Sequence, residues 1–322
     1  MKDLVYMTRI WTPAVFQGKL TAGKYFEGWY FKQVGADSVI SLIPGVSLTE
    51  EPHSFIQLIE SGGQIFYFKY PLSSFEYSRK KMYIKIADSV FSDEGINLDI
   101  SHDGHKISGK LVFSDMIKYP SRLFSPGIMG WYSFVPFMEC YHGAVSVSHK
   151  LSGNIVIDGS EKSFDGGSGY IEKDWGKSFP ESWIWTHCGN FSDRNMSFML
   201  SIANIPWLGK SFTGFLGFLM IDGRIITFAT YNGSKIEKAE LNSDGDLSVM
   251  IKTGKYYIDA VLHHNTSGLL KAPQNGKMNR YIKESIDSEI ELTLRNKKGD
   301  VILSEKGIHA GLEINGDILS NF

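Results

Sequence analysis

Phe215-Leu216-Gly217-Phe218-Leu219-Met220-Ile221-Asp222-Gly223-Arg224-Ile225-Ile226-Thr227-Phe228-Ala229-Thr230-Tyr231 reads as two apolar runs around an Asp-Gly pair. Residues 215–221 and 225–231 each have the length and composition of a β-strand. Asp222-Gly223 supplies the two positive φ angles that a two-residue hairpin turn needs. An antiparallel hairpin follows from this stretch alone. The same pattern recurs outward in both directions. Strand-like runs occur at 55–59, 65–70, 82–86, 96–100, 110–113, 144–147, 155–157, 183–186, 196–202, 247–251, 256–262, 289–294 and 301–303. Gly62-Gly63, Asp103-Gly104, Asn232-Gly233 and Asp244-Gly245 punctuate them.

Apolar spacing of three and four is sustained over no full helical window, and residues 281–288 allow a turn or two at most. The expected fold class is all-β, with few helices and strands spaced as in antiparallel sandwiches and barrels. With 322 residues the chain is long enough for two domains, each with its own core. Gly176 and Pro180 interrupt strand-like sequence and place the boundary after Asp174-Trp175-Gly176, giving domains 1–176 and 177–322. Residues 116–142 and 267–279 read as irregular. The first, rich in Pro and aromatics, is either a cap over a pocket or a packed crossover.

Bulk composition excludes several function classes. A net charge of −2 leaves no electrostatic footprint for nucleic acid. Two cysteines, Cys140 and Cys188, cannot build a disulfide framework or a thiolate zinc site. His263-His264 and the His102/His105 pair lack metal-site companions, so no metal is expected. No run of about 18 apolar residues could span a membrane, and residues 1–9 lack the apolar core of a signal peptide. The expected location is a reducing compartment, the cytoplasm.

Two stretches carry the candidate chemistry. They are Phe26-Glu27-Gly28-Trp29-Tyr30-Phe31-Lys32 and Tyr170-Ile171-Glu172-Lys173-Asp174-Trp175-Gly176-Lys177-Ser178-Phe179-Pro180-Glu181-Ser182-Trp183-Ile184-Trp185-Thr186-His187-Cys188. Together they hold four of the seven tryptophans, each near a carboxylate. Strand alternation puts Glu27, Trp29 and Phe31 on one face, and Glu172 and Asp174 on a face opposite Lys173 and Trp175. A glutamate among rings must be hydrogen-bonded, ion-paired or protonated. Glu27 is therefore either a structural ion pair or a cavity acid. Trp183, Trp185 and His187 share a face that is either a pocket wall or a barrel plug.

These two motifs resemble the tocopherol cyclase family. Fainter likeness runs through Ala272-Pro273 and Gly276 to His309-Ala310-Gly311-Leu312-Glu313. The resemblance implies two lipocalin-like β-barrel domains, distantly related to carotenoid hydratases. It implies acid-catalysed cyclisation of a prenylated quinol or related apolar lipid, needing neither metal nor redox cofactor. In that reaction a prenyl double bond is protonated and a phenol oxygen closes onto the tertiary cation. The implied catalytic residues are Glu27, Glu172 and Asp174; the implied substrate contacts are Trp29, Tyr30, Trp175, Trp183, Trp185 and His187. The plant pattern has Asn at the position of Asp174 and Gln at that of His187, which moves the expected donor to Glu27 or Glu172. The implied partner is an apolar small molecule, reached through transient contact with a membrane surface. The competing function is a non-catalytic carrier of such a molecule.

Overall fold

The computed structural model describes residues 9–136, 138–192, 194–207 and 210–322. Among them the chain is almost entirely antiparallel β-structure with four short 3-10 segments. It divides into two compact units: Met1–Phe179 with Leu270–Tyr281, and Pro180–Leu269 with Ile282–Phe322.

The first unit holds β1 (Tyr25–Val34), β2 (Val39–Leu48), β3 (His53–Glu60), β4 (Ile65–Pro71), β5 (Phe75–Tyr77), β6 (Tyr83–Ile86), β7 (Ser89–Ser92), β8 (Gly95–His102), β9 (His105–Lys118), β10 (Cys140–Ile157), β11 (Ser160–Ser163) and β12 (Ser168–Gly176). These form one sheet in the order β4-β3-β2-β1-β12-β10-β9-β8-β7-β6-β5, with β11 beside β10. One apolar cluster packs against it, including Phe16, Trp29, Phe31, Phe91, Leu111 and Ile171. Alternation makes this possible, because most inward residues of the long strands are apolar while their neighbours point away.

The second sheet, whose hairpin tip counts with the first unit, is built from β13 (Trp183–Cys188), β14 (Met196–Trp207), β15 (Lys210–Ile221), β16 (Arg224–Ala229), β17 (Lys235–Leu241), β18 (Leu247–Lys252), β19 (Tyr256–His263), β20 (Gly268–Gln274), β21 (Lys277–Asn296) and β22 (Val301–Asn315). Its sheet order is β16-β15-β14-β13-β22-β21-β19-β18-β17, with β20 beside β21. Ile184, Cys188, Phe198, Leu219, Ile258 and Leu292 belong to its core.

Asp222-Gly223 joins β15 to β16 with φ of 48° and 81°, as the opening stretch requires. Asp103-Gly104 does the same for β8 and β9, with φ of 52° and 84°. Asn232-Gly233 does not close a hairpin; it lies at the end of a 3-10 segment. One expectation fails. Residues 267–279 are not irregular: they form β20 and the start of β21, turned by Asn275-Gly276 at φ of 50° and 81°. Residues 281–288, where the sequence allows a helical turn or two at most, form none and lie inside the 20-residue β21. The tip of this hairpin, Leu270–Tyr281, counts with the first unit, whereas the sequence reading assigns it to the second domain. Among the described residues no helix is long and apolar enough to cross a membrane.

Candidate active site

The register of β1 against β12 sorts the two motifs of the first unit onto opposite faces. Glu27 lies across from Trp175, Trp29 from Lys173 and Phe31 from Ile171, all on the face that looks into the core. Glu27 is fully buried. Its carboxylate accepts from Gln17 N–H at 2.8 Å, Gly18 N–H at 2.9 Å and Tyr25 O–H at 2.5 Å. The equally buried Lys173 Nζ sits 2.5 Å away. That ammonium also donates to the carbonyls of Pro13 and Val15, at 2.8 and 2.6 Å. It lies over the Trp29 and Trp175 rings as well, at 4.6 and 4.9 Å. Burial lowers Lys173 to about 8, although the charge and hydrogen bond of Glu27 pull it back up.

The expectation that Glu27 donates a proton is therefore corrected. A carboxylate surrounded by four donors, one of them cationic, is held as an acceptor. Trp29 is corrected likewise: it is a fully buried core ring whose indole N–H donates to Ala14 O at 2.8 Å. Both residues clamp the segment 13–18 against the sheet.

The opposite face of the same strands carries the other carboxylates. Tyr30 pairs across from Glu172 and Gly28 from Asp174. The register of β10 then brings His142 beside Asp174 and Ala144 beside Glu172. His142 Nδ1 donates to Asp174 Oδ1 at 2.9 Å, and Nε2 lies 3.6 Å from Glu172 Oε2. Tyr170 donates its phenol proton to the same Glu172 oxygen at 2.7 Å. Ser41 Oγ donates to Tyr30 Oη at 2.9 Å, fixing that ring at the margin of the group. Burial opposes charge on His142, but the Asp174 and Glu172 carboxylates outweigh it and raise the imidazole to about 9. Burial also pushes the Cys140 thiol and the Tyr170 phenol well above their ordinary values. His142 is thus charged at neutral pH, held so by the two carboxylates beside it. The three side chains offer ligand atoms within 4.8 Å of one another, a spacing that could also suit a cation.

Sequence reasoning brought Glu172 and Asp174 together but missed His142. Residues 116–142 read as irregular, whereas β10 begins at Cys140. The available signal was the alternation Cys140, His142, Ala144 leading into the strand-like run 144–147.

A cavity of about 240 Å³ reaches His142 but not the two carboxylates, with Trp175, Tyr141, Phe134, Pro126 and Gln17 in its wall. Trp175 and Tyr141 stack at 5.6 Å and 10°. The segment between β9 and β10 covers it, which realises the cap alternative. Tyr141 O–H donates to Val135 O at 2.8 Å and His142 N–H to Met129 Sδ at 3.1 Å, tying that cap to β10. Gly176 ends β12 at φ of 149°, where a Cβ would collide with the Glu139 carbonyl.

In the second unit, β13 presents Trp183, Trp185 and His187 on the face away from its core, since Ile184 and Cys188 are core residues. Trp183 Nε1 donates to Glu313 Oε2 at 2.6 Å. Glu313 lies across from Trp185 on one side and from Glu284 on the other. His187 Nε2 is 3.2 Å from Ser197 Oγ. All three expected residues are buried there together, beside two buried carboxylates. Glu284 had no signal in the sequence; Glu313 fell only within the fainter likeness.

Residues 111–316 match the family model described as tocopherol cyclase-like. The matched region contains Glu172, Asp174, Trp175, Trp183, Trp185 and His187, and begins after Glu27, Trp29 and Tyr30. The maize (Zea mays) protein "Tocopherol cyclase, chloroplastic" is 25% identical over 197 residues, 58% of this chain and 41% of that protein. The rice (Oryza sativa subsp. japonica) protein "Probable tocopherol cyclase, chloroplastic" is 24% identical over 197 residues, 58% and 42% of the two chains. The match thus spans about two fifths of the length of these relatives. Among solved structures, a Nitrosomonas europaea protein assigned as AttH superposes with a TM-score of 0.51 at 12% identity, covering 89% of this chain and 92% of the other. CghA, also solved with Sch210972, superposes with a TM-score of 0.57 at 10% identity, covering 90% and 88%. At such identity these likenesses establish the fold, a pair of lipocalin-like antiparallel β units.

Proposed function

This chain belongs to the tocopherol cyclase-like family, and from that premise we propose that it catalyses proton-driven ring closure of a prenylated quinol or related apolar lipid. One observation carries the reading: His142, which lies in the wall of an aromatic-lined cavity, is ion-paired behind it with Asp174 and Glu172. The group delivers a proton to the less substituted carbon of a prenyl double bond, leaving a tertiary cation. The Tyr141 ring in the cavity wall stabilises that cation. The phenol oxygen forms a C–O bond to it, and the phenol proton returns to the group, so substrate and product are isomers. Glu172 and Asp174 are the carboxylates of this chemistry and His142 recharges them. Closing the cavity against water keeps the cation from being trapped as an alcohol. Tyr30 is a further substrate contact within the first unit.

The cavity lies below the roughly 300–1,000 Å³ usual for drug-sized ligands. It takes the reacting ring and one prenyl unit rather than a whole long-chain lipid. The test is incubation of the purified protein with a panel of prenylated quinols, followed by mass spectrometry and chromatography. The expected product has unchanged mass and the retention of a chromanol. Lipid that co-purifies and is returned unaltered across the panel would overturn the enzyme and leave a carrier.

A further inference from the structure

The cap over the cavity carries an apolar surface that the proposed chemistry does not use. Arg122 and Ser125 exchange both backbone hydrogen bonds, at 2.9 and 3.1 Å, which leaves Leu123 and Phe124 at the tip of a tight turn. Turn tips ordinarily hold Gly, Pro, Asn, Asp or Ser. Here the two tip residues are large, apolar and 68% and 79% exposed. Trp131 and Phe134 of the same cap are 50% and 40% exposed. Trp11 joins the two halves of this surface. Its indole N–H donates to the carbonyls of Arg122 and Leu123 at 3.1 and 3.2 Å, and its ring meets Phe134 edge-on at 5.6 Å. Phe134 is also part of the cavity wall, so the exposed surface and the cavity are continuous.

We propose that this tip and its aromatic surround dock on an anionic lipid bilayer, with Leu123 and Phe124 inserted and the cavity mouth facing the membrane. Charge favours this occupant over a neutral one. Between Asp115 and Glu139 the sequence holds no acidic residue; Lys118 pairs with Asp93 at 3.6 Å, and the exposed Arg122 at the base of the tip suits an anionic headgroup layer. Trp and Phe flanking an apolar wedge are the residue types that settle at a membrane–water interface. The inference rests on the proposed reading in one respect. A cavity that admits only the reacting end of a lipid leaves the tail in the bilayer.

The test is co-sedimentation of the whole chain with phosphatidylcholine vesicles, with and without phosphatidylglycerol. Binding to the anionic vesicles is expected. The double variant Leu123→Ser/Phe124→Ser should lower the partition coefficient at least about tenfold, and Arg122→Gln roughly fivefold with a weaker salt dependence. Both variants change exposed side chains, so their thermal unfolding midpoints check the fold. Phe124→Trp supplies a second readout: its added fluorescence should shift to the blue on vesicle binding. Failure of the wild type to pellet, equal binding by the double variant, or a Phe124→Trp spectrum indifferent to vesicles would overturn the proposal. So would conversion of a dimer to a monomer by the double variant without vesicles, which would make the patch a contact between copies. None of these readouts needs turnover. A protein that docks but cyclises nothing loses only the proposed function.

Discussion

Asp174 and Glu172 sit two residues apart in one strand, and His142 joins them from the next. If the proton passes through this group, Asp174→Asn and Glu172→Gln each lower turnover by about 10²–10⁴-fold. Far-ultraviolet circular dichroism and unfolding midpoints would stay near those of the wild type. Single-turnover assays on a prenylated quinol measure this, and full activity in both variants would remove carboxylates from the chemistry. The charge on His142 also makes a stability prediction. Its folded value of about 9 lies above the ordinary 6.5. The stabilisation is therefore complete below the ordinary value and lost as pH rises through 9. Lys173, lowered to about 8, tilts stability the opposite way once pH passes that value. Between pH 6.5 and 8 the wild type should therefore lose stability relative to His142→Gln by up to about 1.4 kcal/mol per pH unit. Urea unfolding at the two ends of that window reads the difference. Parallel pH dependences would mean that His142 holds no native proton there. At this scale the sequence revealed which residue types sat near one another, and alternation sorted Glu172 from Lys173. It could not reveal that Lys173 lies against Glu27, because the pairing depends on the register between strands some 150 residues apart in sequence.

Among elements, β1 and β12 act as a two-sided plate. The core-facing side is a structural clamp: Glu27, Lys173 and Trp29 hold the segment 13–18 by five hydrogen bonds to its backbone. The opposite side carries His142, Asp174 and Glu172. A shift of one residue in register would exchange the two sides, so the clamp and the chemistry are specified by the same pairing. Removing one member of a fully buried ion pair is expected to cost about 3–5 kcal/mol, since the partner is left uncompensated. Glu27→Gln should therefore lower the urea midpoint sharply. Glu27→Leu/Lys173→Met should be less destabilised than either single change, as a double-mutant cycle would show. A Glu27→Gln midpoint equal to the wild type would contradict the clamp. Hairpins were legible here wherever a two-residue turn carried its own positive φ, as at Asp222-Gly223 and Asp103-Gly104. The Asn275-Gly276 turn has the same chemistry but went unread. Its flanks, with Lys271, Gln274, Lys277 and Arg280, lack apolar alternation.

In the whole molecule, long-range backbone pairing joins segments that local sequence cannot connect. The hairpin tip Leu270–Tyr281 is fixed to the first unit by Gln57, whose side-chain amide donates to Lys271 O and accepts from Lys271 N–H, both at 3.0 Å. Ser47 Oγ donates to Gly276 O at 2.6 Å alongside. Gln57→Ala leaves two buried backbone groups without partners and should cost about 1–3 kcal/mol. Hydrogen exchange should show faster opening of Lys271 N–H; unchanged exchange at that amide would place its anchorage elsewhere. The sequence by itself determined the all-β class, the main turns, the alternation of faces and the membership suggested by two aromatic-acid motifs. These depend on local φ preferences and a two-residue period, which neighbouring residues fully encode. Only the tertiary structure decided which carboxylate pairs with a buried lysine and which with a histidine. That choice depends on which remote strand lies alongside, and on how much water each face retains.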